Sequence, residues 1–248
     1  MFDVLIVAAE KDFNKLRFVY NSIMDNLEGV ENVYIVSNIK LPQNKAISGT
    51  INLTDEQVLD FDYTKFKGVI RDRTGWYKQQ FIKLFQEVTK DDYVVVDADV
   101  ILNKKINIVE NGKPSFLFGK NQYNRPYFNL IKKLLKLNRV YSYSFINEIM
   151  FFKREIIFHL LASLKVNKYG FFKLIVNELN KRNHPCGFSE YELYGTYTTK
   201  NFPDAYNYTH LKTKNKGISR LWTDSEIINY VNKFKASDYD LITLHSWI

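Results

Sequence analysis

The chain has 248 residues, 46% of them hydrophobic and 25% charged, with a formal net charge of +8. That much apolar sequence can bury one large core, which excludes an intrinsically disordered chain. The absence of any run of about 18 apolar residues excludes a transmembrane helix, and a single cysteine, Cys186, excludes an intrachain disulfide and fits a reducing, cytoplasmic location.

In chain order, DVLIVAA at 3–9 reads as a buried strand closed by the charged cluster Glu10-Lys11-Asp12. Apolar residues at Phe13, Leu16, Val19, Tyr20, Ile23, Met24 and Leu27 have helical spacing, and VYIVS at 33–37 reads as a second strand. This β-α-β opening predicts an α/β fold whose parallel strands need helices on both faces. The opening MFDVLIVAAEKD has no basic n-region and no cleavage site, so no signal peptide is expected. Residues 42–74 read as irregular, with a short strand near 50–53. GWYKQQFIKLFQEVT at 75–89 reads as a helix with Trp76, Gln79, Gln80 and Lys83 on nearly one face, a polar set suited to sugar or phosphate. Strands are expected at 93–97, 115–119 and 148–152. Helical pattern runs from 154 to about 182, broken near 167–170, and resumes at 190–200. The Lys- and Asn-rich stretch 207–219 reads as a loop, and DYDLITL as a last strand with His245 just past it. No repeat or low-complexity linker interrupts residues 1–248, so one domain is expected.

The chemistry concentrates at DDYVVVDADVIL, residues 91–102. Asp97 and Asp99 are spaced i, i+2 at a strand end and so project to the same side. Two adjacent carboxylates repel, and a cation or a set of donors relieves them. Three readings fit: solvated aspartates at a strand end, the D-x-D of haloacid dehalogenase-type phosphatases, or a clamp for Mn²⁺ or Mg²⁺ on a diphosphate. The phosphatase reading places its nucleophile strand early, whereas here a complete β-α-β unit precedes it.

The ordered set GWYKQQFIKL, YVVVDADVIL, FSEYELYG and LHSW resembles the GT-A glycosyltransferases, and among them a group of poorly characterised bacterial and viral glycosyltransferase-like proteins. The resemblance spans the whole chain. It implies a single GT-A domain, a mixed, mostly parallel sheet flanked by helices, with a nucleotide-binding half (1–102) and an acceptor-binding half (103–248). It also implies metal-dependent transfer of a sugar from a nucleotide-diphosphate sugar to a glycan or lipid-linked glycan, as in polysaccharide biosynthesis. By the same resemblance Asp99 ligates the metal, Asp97 contacts the ribose or the metal shell, and His245 adds a further ligand. Glu190 or Glu192 serves as the base. Ser189 as a helix N-cap with Glu192 three residues on makes a capping box, which leaves Glu190 as the favoured base. Ala8, Ala9 and Glu10, with Ser37 and Asn38, are expected at the nucleotide. Arg71 and Arg73 suit bidentate phosphate pairing, with Gln80 and Lys83 nearby.

The basic amphipathic stretch YFNLIKKLLKLNR at 127–139 reads either as packing with a solvated basic side or as peripheral contact with an anionic membrane. No zinc spacing or nucleic-acid-binding signature occurs, so nucleic acid is not an expected partner. The competing functions are a metal-dependent phosphohydrolase or nucleotidyltransferase using the same Asp pair, and a non-catalytic nucleotide-sugar-binding module.

Overall fold

The computed structural model describes residues 1–59, 73–119, 121–182, 186–217 and 222–245. Its strands and helices follow in order: β1 (Phe2–Ala8), α1 (Leu16–Asn26), β2 (Val30–Ser37), β3 (Thr50–Thr54), α2 (Asp55–Val58), α3 (Thr74–Phe85), β4 (Asp92–Asp97) and β5 (Val100–Leu102). The second half comprises β6 (Val109–Glu110), β7 (Lys113–Phe118), α4 (Arg125–Leu135), β8 (Ile149–Lys153), α5 (Arg154–Ser163), α6 (Lys168–Arg182) and α7 (Glu190–Asn201). It closes with β9 (Asn207–His210), β10 (Thr213–Gly217), α8 (Asp224–Asn232) and β11 (Leu241–His245).

Among the described residues the main sheet has the order β3-β2-β1-β4-β8. β1 to β4 are parallel, and β8 lies antiparallel on β4. Every residue of β1 is buried, because helices cover both faces of a parallel sheet and its strands become continuous apolar runs. The strand order reverses between β1 and β4, so a crevice opens beyond Ala8 and Asp97, the place where open α/β sheets bind ligands.

Two small sheets flank this core. In one, β11 pairs parallel with β10 and antiparallel with β5. In the other, β7 pairs with β6 and β9. The polar stretch read as a loop is therefore two strands, β9 and β10. Their pairing is carried by backbone hydrogen bonds at exposed edges, so no apolar alternation marks it. β5 and α8 also escaped the pattern: β5 is three residues long, and α8 buries only Ile227. α3 stops at Phe85 rather than 89, because the Gln86 side chain accepts the backbone N–H groups of Val88 and Thr89 (3.0 and 3.1 Å) and turns the chain out of the helix. α7 is held against the loop before β8 by Gly195, where a Cβ would lie 2.2 Å from the Phe145 ring. Only glycine admits that approach, and it brings the start of α7 over the crevice.

Candidate active site

Three adjoining cavities run along the carboxyl ends of β1, β2 and β4. The first, about 480 Å³, is lined by Ala8, Ala9, Ser37, Asn38 and Lys78 among others. The second, about 320 Å³, holds Lys11, Asp97, Asp99, Glu148 and His245. The third, about 220 Å³, is walled by Gln80, Tyr127, Ser144, Glu190, Tyr191 and Glu192. Trp76 and Gln79 line all three, so one face of α3 forms the common floor of a continuous cleft.

Lys83 is the electrostatic centre of that cleft. It comes from the last turn of α3, and its Nζ donates to Asp97 Oδ1 at 2.7 Å and to Glu190 Oε1 at 2.9 Å. It also lies 4.5 Å from the centre of the Tyr191 ring, a cation–π contact. The Tyr191 hydroxyl donates to the same Asp97 oxygen at 3.0 Å. Burial works against the Lys83 charge, but Asp97 and Glu190 more than offset it and hold its pKa well above the ordinary lysine value. Burial raises the Glu190 pKa while Lys83 pulls it back. Glu190 is fixed further by its own N–H, which donates to Gln80 Oε1 at 3.1 Å.

Beyond the end of β4, Asp99 Oδ2 lies 3.0 Å from His245 Nδ1. Burial raises the Asp99 carboxyl, but the hydrogen bond and charge of His245, with Lys15 and Lys11 behind it, bring it below the ordinary carboxylate range. His245 is the last residue of β11 rather than a residue past it. Its other ring nitrogen, Nε2, meets Thr243 Oγ1 at 3.2 Å, the kind of outer partner that orients a ligating imidazole. Asp97, Asp99 and His245 open into one cavity, and carboxylate oxygens with an imidazole suit Mn²⁺ or Mg²⁺. The chemistry of this donor set fits a divalent cation. As the side chains stand, no group of three metal-binding side chains converges among the described residues, because Asp97 Oδ1 is engaged by Lys83 and Tyr191. Glu148 supports the arrangement: it has φ 58°, a left-handed backbone uncommon for glutamate, and its carbonyl accepts the Asp97 N–H at 2.9 Å.

Glu192 also lines the third cavity. Ser189 caps α7 by accepting the Glu192 N–H at 3.3 Å, as expected, but the reciprocal half of the capping box is replaced. The Glu192 side chain turns to the hydroxyl of Ser144 instead. Both glutamates therefore face the cleft, although i, i+2 spacing on a helix predicts that only one would. Burial pushes the Glu192 carboxyl up to about 7, opposed by the Ser144 hydroxyl, the Phe145 backbone and Arg139. The folded protein thus holds this proton more tightly than the unfolded chain, so stability falls as pH rises from about 4.5 to about 7. Glu192→Gln, neutral at every pH, is expected to flatten that slope. It should exceed the wild type by on the order of 3 kcal/mol above pH 7, with the difference closing below the ordinary glutamate pKa. Urea unfolding of both proteins across pH 4–8 measures this, and parallel profiles would refute it.

Of the residues expected at the nucleotide, Ala8, Ala9, Ser37 and Asn38 line the first cavity, whereas Glu10 is exposed and lines none of the three. Arg73 is exposed and stacks 5.5 Å over the Trp76 ring. Arg71 lies outside the described residues. Sequence reasoning missed Tyr191 and Glu148. Tyr191 had a signal in its place between two glutamates at a helix start, while Glu148 had none beyond heading an apolar strand. It also missed Lys11 and Ser144, which only the fold brings to the cleft.

No curated protein matches the chain in sequence. Among solved structures, an active-site mutant of LgtC is 11% identical over 98% of this chain and 86% of that one, with a TM-score of 0.51. Galactosyltransferase LgtC in complex with donor and acceptor sugar analogues gives 11%, 99%, 87% and 0.48 for the same measures. Apo mouse xyloside xylosyltransferase 1 gives 11%, 98%, 98% and 0.45. At this identity the likeness to the LgtC mutant is one of fold, the GT-A fold that the strand order and the crevice already describe. In sequence, the pattern of the family of unknown function DUF6492 matches residues 3–243, and the chain belongs to that family.

Proposed function

We propose that this protein is a glycosyltransferase that takes a sugar from a nucleotide-diphosphate sugar and delivers it to a glycan or lipid-linked glycan hydroxyl. The observation that carries this reading is the continuous cleft at the strand-order switch. It offers a cavity with small residues at 8 and 9 for a base, a polar centre at Asp97, Asp99 and His245 for a diphosphate, and a carboxylate- and amide-lined cavity for a sugar. The GT-A fold shared with LgtC supports it.

Asp99 and His245, with Asp97, would hold Mn²⁺ or Mg²⁺, and a bound cation neutralises the charge that develops on a leaving diphosphate. Lys83 keeps Asp97 and Glu190 apart and in place. Glu190, whose basicity burial raises and whose charge Lys83 preserves, faces the sugar cavity as the base on the acceptor hydroxyl. The nucleotide-binding half is proposed to be residues 1–102, and the acceptor-binding half 103–248.

A thermal-shift screen of nucleotide sugars with and without Mn²⁺, followed by release of nucleoside diphosphate with and without acceptor sugars, tests the reading. Stabilisation by one nucleotide sugar in the presence of metal, with diphosphate release that requires acceptor, is the expected result. Release independent of acceptor would make the protein a hydrolase. Asp99→Ala should lose the metal-dependent stabilisation while still unfolding in a single cooperative transition in the absence of ligand, at a somewhat lower temperature because the contact with His245 is gone; unchanged Mn²⁺-dependent binding in this variant would remove Asp99 from the metal site.

A further inference from the structure

One wall of the sugar cavity comes from two segments, residues 122–127 and 144–146. An exposed tyrosine lies within the first and directly before the second. Tyr123, between the cavity residues Gln122 and Asn124, is 60% exposed, and Tyr143, next to Ser144, is 39% exposed. Arg139 fastens the two segments together. Its Nη2 donates to the carbonyl of Gln122 at 2.9 Å and to that of Ser142 at 2.5 Å, and its guanidinium stacks 5.2 Å from the Tyr123 ring.

From Tyr143 the aromatic surface continues outward. The Tyr143 ring meets His210 edge-on at 4.4 Å and Phe118 at 6.1 Å, and Phe118 stacks on Tyr208 at 5.7 Å with the planes 6° apart. Tyr208 and His210 alternate on β9, so they share one face of that edge strand, and both are exposed. Tyr143 and Tyr208 pack over the buried Phe118 ring and remain exposed themselves, so rings reach the surface beside a polar cavity.

We propose that this tyrosine strip is an extended subsite for the acceptor, and that the acceptor is an oligosaccharide whose terminal unit enters the sugar cavity while further units lie across Tyr143 and Tyr208. The inference rests on the reading of the cleft as a site of glycosyl transfer and names its acceptor class. A pyranose ring has an apolar C–H face that stacks on an aromatic face, with hydroxyls at its edge. Tyrosine supplies both the face and a hydroxyl donor, and loses little conformational entropy in doing so. A bilayer surface is the competing occupant. A face that inserts into a bilayer uses Trp, Phe or Leu, with tyrosine added at the headgroup level, whereas the exposed large hydrophobic residues described on residues 121–146 and 206–212 are Tyr123, Tyr143 and Tyr208 alone.

The test uses the intact chain and ladders of neutral gluco- and galacto-oligosaccharides from monosaccharide to hexasaccharide, with binding followed by saturation-transfer NMR and titration. Wild-type affinity should rise by about tenfold or more from monosaccharide to tetrasaccharide in at least one ladder. Tyr143→Ala/Tyr208→Ala should abolish the rise, and Tyr143→Phe should keep it, since the stacking face survives. Affinity independent of length in every ladder overturns the proposal. So does binding to phosphatidylglycerol vesicles that the double variant loses while saccharide binding is unchanged. The donor screen reads separately: length-dependent saccharide binding without nucleotide-sugar binding would sink the transferase reading and leave the strip as a glycan-binding surface, whereas donor binding with flat ladders would do the reverse.

Discussion

Lys83→Met is expected to cost about 3–5 kcal/mol of folding stability, because it strands buried charge rather than removing a contact at the surface. Glu190 is 4% exposed and has its carboxylate on the Lys83 ammonium. Without that ammonium, the burial that already raises the Glu190 pKa is opposed only by a backbone hydrogen bond. The folded variant then favours protonated Glu190 more strongly than the unfolded chain does, so its stability is greatest at acid pH and is lost as pH rises past the ordinary glutamate value, about 4.3. The gap to wild type should therefore be small near pH 4 and widen toward neutrality. Lys83→Met/Glu190→Gln should recover most of it, since both ends of the pair are then uncharged. Urea unfolding of the three proteins at several pH values measures the cycle. A Lys83→Met protein within about 0.5 kcal/mol of wild type at pH 7, the range of an ordinary surface change, would show that the triad is solvated in solution.

The second large effect is on turnover. Glu190→Gln keeps the shape and an acceptor oxygen for Lys83 but removes the basicity, and it should lower the rate of glycosyl transfer by about 10²-fold or more. Donor affinity should barely change, because the cavity proposed for the nucleotide does not include this residue. Initial rates with calorimetric donor binding separate the two quantities. Should Glu192→Gln show the loss while Glu190→Gln stays near wild type, the base is Glu192, whose pKa of about 7 also suits proton transfer near neutrality. Retention of anomeric configuration in the product would dispense with this base and leave Glu190 to hold the acceptor.

What the sequence disclosed follows from which forces leave a periodic trace. The strand before Asp97 shows as an apolar run because both its faces are covered. The α3 face shows because 3.6-residue spacing collects Trp76, Gln79, Gln80 and Lys83. Four of the five residues expected at a nucleotide line one cavity, because strand ends in such sheets border the crevice. Glu10 lies off that cavity because it starts a short 3-10 turn that carries it into solvent. Partners were not legible. Nothing local announces that Lys83 reaches Glu190 across 107 positions, or that Ser144 draws the Glu192 side chain away from its own helix terminus. Strands such as β10 escape for the related reason that their pairing is written in the backbone.

β11 has a consequence for the site's endurance. On one face of β11, Ile242 and Leu244 belong to a small separate cluster with Ile101 and Ile227, and on the other face Leu241 alone reaches the main core. The contact between Asp99 and His245 spans 146 positions and depends on that strand staying paired with β5. A unit with so few buried apolar residues opens at lower free energy than the sheet around β1. Amide hydrogen exchange should therefore run faster in β11 than in β1 or β4, and local opening of this one unit would separate His245 from Asp99 while the cavity beyond β1 and β2 stays folded. Cation binding would close that opening, so slower exchange in β11 on addition of Mn²⁺ would report occupancy of the centre without any turnover.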